Sequence, residues 1–258
     1  MEPVLLDKNG AVARIALNRP DKLNSFNRAM AFALQDALKD CAEDNTIRAI
    51  VITGNGKAFS AGQDLAEVTD PNGPGMEKIL SEHYNPIILA IRNMPKPVVA
   101  AVNGVAAGAG ANIALACDIV LASEEAAFIQ AFSRIGLVPD SGGTWFLPRL
   151  VGWQRALALA ITGDKVTAKE AQQMGMIYKA LPAESFQAET ETLVNKLAAM
   201  PTKAVAFIKD ALERSWQNTL ETQLAIEDVL QQKAAATNDF KEGVAAFLEK
   251  RHPLFTGN

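Results

Sequence analysis

The chain has 258 residues, of which 49% are hydrophobic and 21% are charged, and its formal net charge is −4. A chain of this length and apolar content can bury a substantial core. Its mildly acidic balance argues against nucleic acid or an anionic membrane surface as a partner. Cys41 and Cys117 stand in apolar surroundings without metal-ligand or redox spacing. We therefore expect two small core residues in the reducing cytoplasm.

No segment has the uniform hydrophobicity of a membrane-spanning helix. The apolar stretch over residues 97–121 contains Asn103, Asn112, Asp118 and several glycines, which indicates a buried segment instead. Residues 1–8 are mixed in polarity, so we expect no cleavable signal. The sequence also lacks a phosphate-binding glycine loop and a metal-ligand cluster, and no metal is expected.

The first elements along the chain alternate between strand and helix. Residues 12–17 form a short strand, and apolar residues three and four apart predict a helix over about 27–42, with Ser25 as its N-cap. Residues 47–53 are a continuous apolar run, which is typical of a fully buried strand. Strand, helix and strand in this order predict a βαβ unit with a right-handed crossover.

The middle of the chain repeats this alternation, and the end is helical. Residues 71–75 form a loop rich in Pro and Gly, and they are followed by predicted elements in this order: helix 76–92, strand 98–102, a helix entered through 104–110, and strand 118–122. Beyond residue 163 the pattern predicts helices at 167–174, 183–199, 202–216, 220–235 and 239–250.

The helical tail is too apolar to be fully exposed to water. Trp216, Leu224, Ile226, Val229 and Leu230 need a surface to cover, either the parent core or a neighbouring subunit. No linker rich in Pro, Gly or Ser separates the tail from the core as an independent domain.

Asp140 lies between an apolar run and the glycine pair Gly142–Gly143. A carboxylate among apolar neighbours is poorly solvated, so its pKa tends to rise into the range where it can both take and give a proton. The glycines would let backbone approach whatever the carboxylate faces. The alternative is that Asp140 is the N-cap of a helix that starts near Ser141. Local sequence leaves both hypotheses open.

Two loops follow predicted buried strands, residues 56–65 and 103–111. Ligands lie at the carboxyl ends of strands in α/β folds. Both loops are rich in small residues that leave backbone N–H groups accessible, and two such groups aimed at one point form an oxyanion hole. The second loop also opens a helix, whose positive end would add to the effect. Tight helix–strand packing is the alternative explanation of the small residues.

Four ordered motifs, at residues 18–26, 59–65, 103–110 and 137–143, resemble the crotonase (enoyl-CoA hydratase/isomerase) superfamily. The resemblance covers essentially the whole chain. It implies an α/β fold in which residues 1–195 form a crotonase-like spiral of ββα turns and residues 196–258 a helical C-terminal region that trimerises. It also implies an acyl-CoA substrate, with no cofactor besides the coenzyme A that the substrate carries, and a homotrimer or a dimer of trimers.

The same resemblance assigns roles to individual residues. The backbone N–H groups of Gln63 and Ala109 would form the oxyanion hole. The coenzyme A end of the substrate would be lined by Lys22, Leu23, Ala61, Gln63, Asp64 and Leu65. No other bound group is implied.

Two departures from the family pattern bear on the reaction. Hydratases of the superfamily use two glutamates to hold the water that they add, and this chain has Asn112 and Phe132 at those positions. Asp140 stands where family isomerases carry their proton-shuttling acid. One group that removes a proton and returns it elsewhere suits isomerisation, which needs no water.

The resemblance leaves the substrate open between two kinds of acyl group. Several segments, including residues 131–145 and the tail 251–257, are most similar to superfamily isomerases that act on an aromatic ring epoxide in phenylacetate breakdown. A Δ3,Δ2-enoyl-CoA isomerase of fatty-acid breakdown would use the same machinery on a linear chain. A hypothesis of another class is a non-catalytic member of the fold that binds acyl-CoA or RNA.

Overall fold

The computed structural model describes residues 2–258. Its strands, in chain order, are β1 (Val4–Asn9), β2 (Val12–Leu17), β3 (Ala49–Gly54), β4 (Ala58–Ser60), β5 (Val98–Val102), β6 (Val105–Ala107), β7 (Ile119–Ser123), β8 (Ala127–Ile129), β9 (Lys165–Thr167) and β10 (Lys179–Leu181). They form a six-stranded sheet in the order β1-β2-β3-β5-β7-β10 and a four-stranded sheet in the order β4-β6-β8-β9.

The helices also follow in chain order. They are α1 (Arg28–Glu43), α2 (Leu65–Thr69), α3 (Gly75–Lys78), α4 (Asn85–Asn93), α5 (Ala109–Ala116), α6 (Gly143–Val151), α7 (Trp153–Thr162), α8 (Ala168–Gln173), α9 (Ala183–Ala198), α10 (Thr202–Ser215), α11 (Leu220–Ala235) and α12 (Asn238–Glu249).

The chain rises as a spiral in which successive strands alternate between the two sheets. In each of the pairs β3–β4, β5–β6 and β7–β8 the first strand joins the large sheet and the second joins the small one. Neighbours from β2 to β10 in the large sheet are parallel, as are β4, β6 and β8 in the small one. The predicted spiral of ββα turns is therefore confirmed, and so is the β2–α1–β3 unit as a pair of parallel strands joined by a helix.

The small sheet was not predicted from the sequence. Strands β4 and β6 occupy parts of residues 56–65 and 103–111, which we expected to be loops throughout. Each strand of the small sheet has only three residues. Three residues are too few for a period-two pattern, so only the pairing of neighbouring turns of the spiral defines these strands.

Two helix boundaries differ from the sequence prediction. Asn27, and not Ser25, caps α1, because its side-chain oxygen accepts the Met30 N–H at 3.1 Å. The single helix expected over residues 76–92 is divided into α3, a π-helical turn at Ile79–Tyr84, and α4. This turn bears on the site, because Tyr84 ends it.

The helical tail leaves much apolar surface uncovered. Ile208, Leu212 and Leu224 on α10 and α11 are more than half exposed, and Phe247 on α12 is 82% exposed. Trp216 lies against the core, where its ring stacks on Trp145 at 4.8 Å between centroids. The expected boundary between residues 195 and 196 falls inside α9, so one continuous helix joins the two regions. No helix within residues 2–258 combines the length and hydrophobicity that crossing a membrane requires.

Candidate active site

A cavity of about 340 Å³ opens where the loop after β4, the start of α5 and the segment before α6 converge. Its walls are mainly apolar side chains, with a few polar groups among them. The lining residues are Ala61, Gly62, Gln63, Leu65, Val68, Met76, Ile79, Tyr84, Gly108, Ala109, Ala131, Phe132, Arg134, Ile135, Leu137 and Asp140.

The backbone N–H of Gln63 points away from Phe26, the residue with which Gln63 pairs. Gln63 forms a parallel bridge with Phe26, in which the Phe26 N–H donates to Gly62 O at 2.6 Å and the Asp64 N–H donates to Phe26 O at 2.8 Å. In such a bridge the N–H of the central residue points to the opposite side. Within residues 2–258 this N–H donates to no protein acceptor, so it is available to a ligand.

Ala109 offers the second N–H of the site. It is the first residue of α5, and the first N–H groups of a helix have no partner inside the helix. The helix dipole adds partial positive charge at this end. Both Gln63 and Ala109 line the cavity, so the structure brings together the two groups that the family resemblance assigned to an oxyanion hole.

Small residues allow the two loops to touch. A Cβ built on Gly62, whose φ is +88°, would lie 2.8 Å from Ala107 O and 3.5 Å from Ala109 N. A Cβ on Gly110 would lie 2.6 Å from the Ser60 Cβ. The two explanations of these loops are therefore compatible, because tight packing of backbone on backbone is what sets the two N–H groups close together.

Asp140 is not a helix cap. Helix α6 begins two residues later than expected, with Gly142 as N-cap at φ 75° and no capping side chain. The Asp140 carboxylate accepts one hydrogen bond, from the Ser141 hydroxyl at 2.8 Å. Its pKa is raised above the ordinary value by burial, against which the Ser141 hydrogen bond acts. The carboxyl group is thus partly desolvated, uncommitted to a cap and exposed to the cavity.

The two positions at which family hydratases carry glutamate have separate roles here. Phe132 is buried in the cavity wall. Asn112 is fully buried in α5, and its Nδ2 donates to the backbone oxygen of Asp140 at 2.8 Å. In the described chain, Asp140 is the one carboxylate among the residues that line the cavity.

Tyr84 is a residue of the site that sequence reasoning missed. Its hydroxyl donates to Gln63 Oε1 at 2.6 Å, and Gln63 Nε2 donates to Glu67 Oε2 at 3.0 Å. Burial raises the pKa of Tyr84 well above its usual value, with a further contribution from the negative charge of Asp140. The hydroxyl therefore remains a donor at neutral pH. No local pattern marked Tyr84, because it lies within what the apolar periodicity predicted as one regular helix.

The residues expected around coenzyme A are only partly gathered at the cavity. Ala61, Gln63 and Leu65 line it, while Lys22 and Leu23 lie on the adjoining surface, where Leu23 O accepts the Ala61 N–H at 2.9 Å. The Asp64 carboxylate is already engaged, since it caps α2 and accepts a hydrogen bond from Arg19 at 2.9 Å. Contacts of Lys22, Leu23 and Asp64 with coenzyme A stay predictions.

Two free backbone donors and one partly desolvated carboxyl that line the same apolar cavity form a site that can stabilise an anion while moving a proton. The enoyl-CoA hydratase/isomerase family model matches residues 7–258. The chain belongs to this family, which confirms the resemblance seen in its motifs.

Individual relatives include both isomerases and hydratases. The chain is 45% identical over 260 residues to the 1,2-epoxyphenylacetyl-CoA isomerase of Escherichia coli K12, covering 100% of this chain and 99% of the relative. It is 48% identical over 246 residues to a Rhodobacter capsulatus protein named "Probable enoyl-CoA hydratase", covering 95% of each. The crystal structure of an enoyl-CoA hydratase from Bacillus anthracis superposes with a TM-score of 0.92 at 33% identity, covering 99% of this chain and 100% of that one.

Proposed function

We propose that the protein is an isomerase of acyl-CoA thioesters, and that its substrate is 2-(1,2-epoxy-1,2-dihydrophenyl)acetyl-CoA, which it converts to the oxepin form. The observation that carries the isomerase proposal is that one carboxyl group, Asp140, lines the same apolar cavity as Gln63 and Ala109, whose backbone N–H groups have no protein acceptor. The likeness to the Escherichia coli isomerase supports the choice of acyl group.

In the proposed reaction the thioester oxygen accepts hydrogen bonds from the N–H groups of Gln63 and Ala109. These donors stabilise the negative charge that develops when a proton leaves the α carbon. Asp140 takes that proton and returns one further along the acyl group, or assists the opening of the epoxide. The raised pKa of its carboxyl group suits both halves of such a transfer.

A screen of three thioesters tests the proposed function. Purified protein would be assayed with ring-epoxide, 3-enoyl and 2-enoyl CoA thioesters, and we expect turnover to be fastest on the ring epoxide. Faster turnover of the 3-enoyl thioester would instead establish a Δ3,Δ2-enoyl-CoA isomerase. Binding of all three without turnover would indicate a non-catalytic member of the family.

We expect little hydration of crotonyl-CoA by this protein. Water addition in the family uses two glutamates as acid and base, and Asn112 and Phe132 stand at their positions. The rate of hydration would be measured as the decrease in absorbance of the enoyl thioester. A turnover near the typical enzyme value of about 10 per second would contradict this expectation.

We also propose that the protein assembles as a homotrimer or a dimer of trimers. Large apolar side chains on α10, α11 and α12, such as Leu212, Leu224 and Phe247, are exposed in the single chain. Apolar surface of this extent favours a protein interface. Light scattering at micromolar concentration should give three or six times the chain mass of 27.6 kDa. A stable monomer would overturn this proposal.

A further inference from the structure

We propose that Asn112 and Gln130 are positioning residues of the site. In this proposal two buried amides, linked by hydrogen bonds, hold the backbone of Asp140 and so set where its carboxylate lies in the cavity. The inference rests on the proposed isomerase function. It concerns how the acid is placed, since neither side chain lines the cavity itself.

The first link joins helix α5 to the turn that carries Asp140. Asn112 is 0% exposed, and its Nδ2 donates to the backbone oxygen of Asp140 at 2.8 Å. The Gly143 N–H donates to the same oxygen at 2.8 Å. The carbonyl of Asp140 is therefore fixed from two sides, one within its own turn and one from the buried helix.

The second link determines which way the Asn112 amide faces. Gln130, which directly follows β8 and is 4% exposed, donates its Nε2 hydrogen to Asn112 Oδ1 at 2.8 Å. Because Oδ1 is occupied by this donor, Nδ2 must point at Asp140. Among the described residues, this is the one hydrogen bond of the Gln130 side chain, whose Oε1 is buried without a protein donor.

The turn that carries Asp140 packs directly against the buried Asn112 amide. A Cβ built on Gly143 would lie 2.3 Å from Asn112 Nδ2. The glycine therefore lets the turn close directly onto the amide.

The Asp140 carboxylate depends on this support for its position. Its side chain has one hydrogen bond, to the adjacent Ser141, and no bond from outside its own turn. The turn itself is held in an unusual conformation, with Ser141 at φ 50° and Gly142 at φ 75°. The Asn112–Gln130 pair ties this turn to the small sheet and to α5, the helix that also carries the Ala109 N–H.

The test begins with wild-type turnover on the thioester screen, since absent turnover refutes the proposed function and not the positioning role. Asn112→Asp keeps shape but removes the donor, and we expect kcat to fall about ten- to a hundredfold, with acyl-CoA affinity unchanged. The added carboxylate should also shift the acid limb of the kcat–pH profile to higher pH. The other titratable groups lining the cavity, Tyr84 and Arg134, are unaltered, so the shift reports on Asp140 together with the carboxyl group introduced beside it.

Two further variants keep the test decisive. Gln130→Met preserves the bulk of the side chain and removes the donor that orients Asn112. We expect kcat to fall less than in Asn112→Asp, and the acid limb of the kcat–pH profile to stay where it is in the wild type. This variant decides the question if Asn112→Asp does not fold. Gln223→Glu is the matched control in the tail, where Asn218 donates to Gln223 and Gln223 donates to Ala211 O in the same pattern. We expect its kcat and pH profile to match the wild type.

The outcomes separate positioning from simple stabilisation. A lowered thermal midpoint with wild-type kcat and pH limb in Asn112→Asp and Gln130→Met would overturn the proposal. So would a rise in KM alone. A fall of kcat in Gln223→Glu as large as in Asn112→Asp would assign the effect to general destabilisation and overturn it as well.

Discussion

Replacement of Asp140 by asparagine should abolish isomerisation and leave acyl-CoA binding largely intact. The amide preserves the shape of the side chain and can still accept the Ser141 hydroxyl, but it cannot take a proton and return it. Loss of a general acid–base group typically costs about 10²–10⁴-fold in rate. The effect should lie at the upper end, because no second carboxylate lines the described cavity. The measurements are the isomerisation rate and the acyl-CoA dissociation constant.

Asp36→Asn provides a control for the same chemical change. Asp36 lies exposed on α1 and makes no side-chain hydrogen bond within the described chain. The isomerisation rate of Asp36→Asn should equal that of the wild type. Near-normal turnover in Asp140→Asn would leave the proposed chemistry without an acid–base group and would refute the mechanism.

The Asp140→Asn variant should be no less stable than the wild type at neutral pH. Burial raises the pKa of Asp140 in the folded state, so the ionised form is disfavoured by folding. That cost is present above the folded pKa and disappears below the unfolded value of about 3.9. Asparagine carries no such cost. We expect its thermal midpoint to equal or exceed that of the wild type at pH 7, and any gain to vanish as the pH falls through this range.

Much of the framework follows from the sequence because its buried strands are continuous apolar runs and its helices have clear periodicity. Strands β3 and β5 and the helix α1 were predicted to within a few residues on this basis. The small sheet was not predicted, because strands such as Ala58–Ser60 exist only through pairing with distant turns of the chain. Pattern within one segment carries no information about such pairing.

The candidate site shows the same division. Asp140 and the two backbone N–H groups lie in motifs that the sequence displays, so they could be found there. The cap hypothesis for Asp140 was wrong because left-handed backbone at Ser141 and Gly142 delays the helix, and residue types alone do not fix that conformation. The side-chain hydrogen bonds that tie Tyr84 and Gln130 to the site span 21 and 18 residues of sequence, which no local pattern encodes.

Replacement of Gly62 by alanine should disrupt the proposed oxyanion hole and lower kcat by about 10²–10³-fold, the usual cost of losing one such donor. The added methyl group would lie 2.8 Å from Ala107 O, which is a backbone atom and cannot move aside as a flexible side chain could. Relief of this contact requires the loops that carry Gln63 and Ala109 to separate. The N–H groups would then no longer point at one oxygen atom, while the Asp140 carboxyl would stay in place.

A positive φ alone also disfavours alanine, so the clash must be separated from backbone strain. Gly175 has φ +78°, close to the +88° of Gly62, but a methyl group there would meet only Leu150 O at 3.4 Å. Both variants should lose about 1–2 kcal/mol of stability from left-handed backbone. Only Gly62→Ala should lose turnover at a temperature where both are folded. Equal kcat in the two variants would show that the contact of the two loops does not set the position of the proposed oxyanion-hole N–H groups.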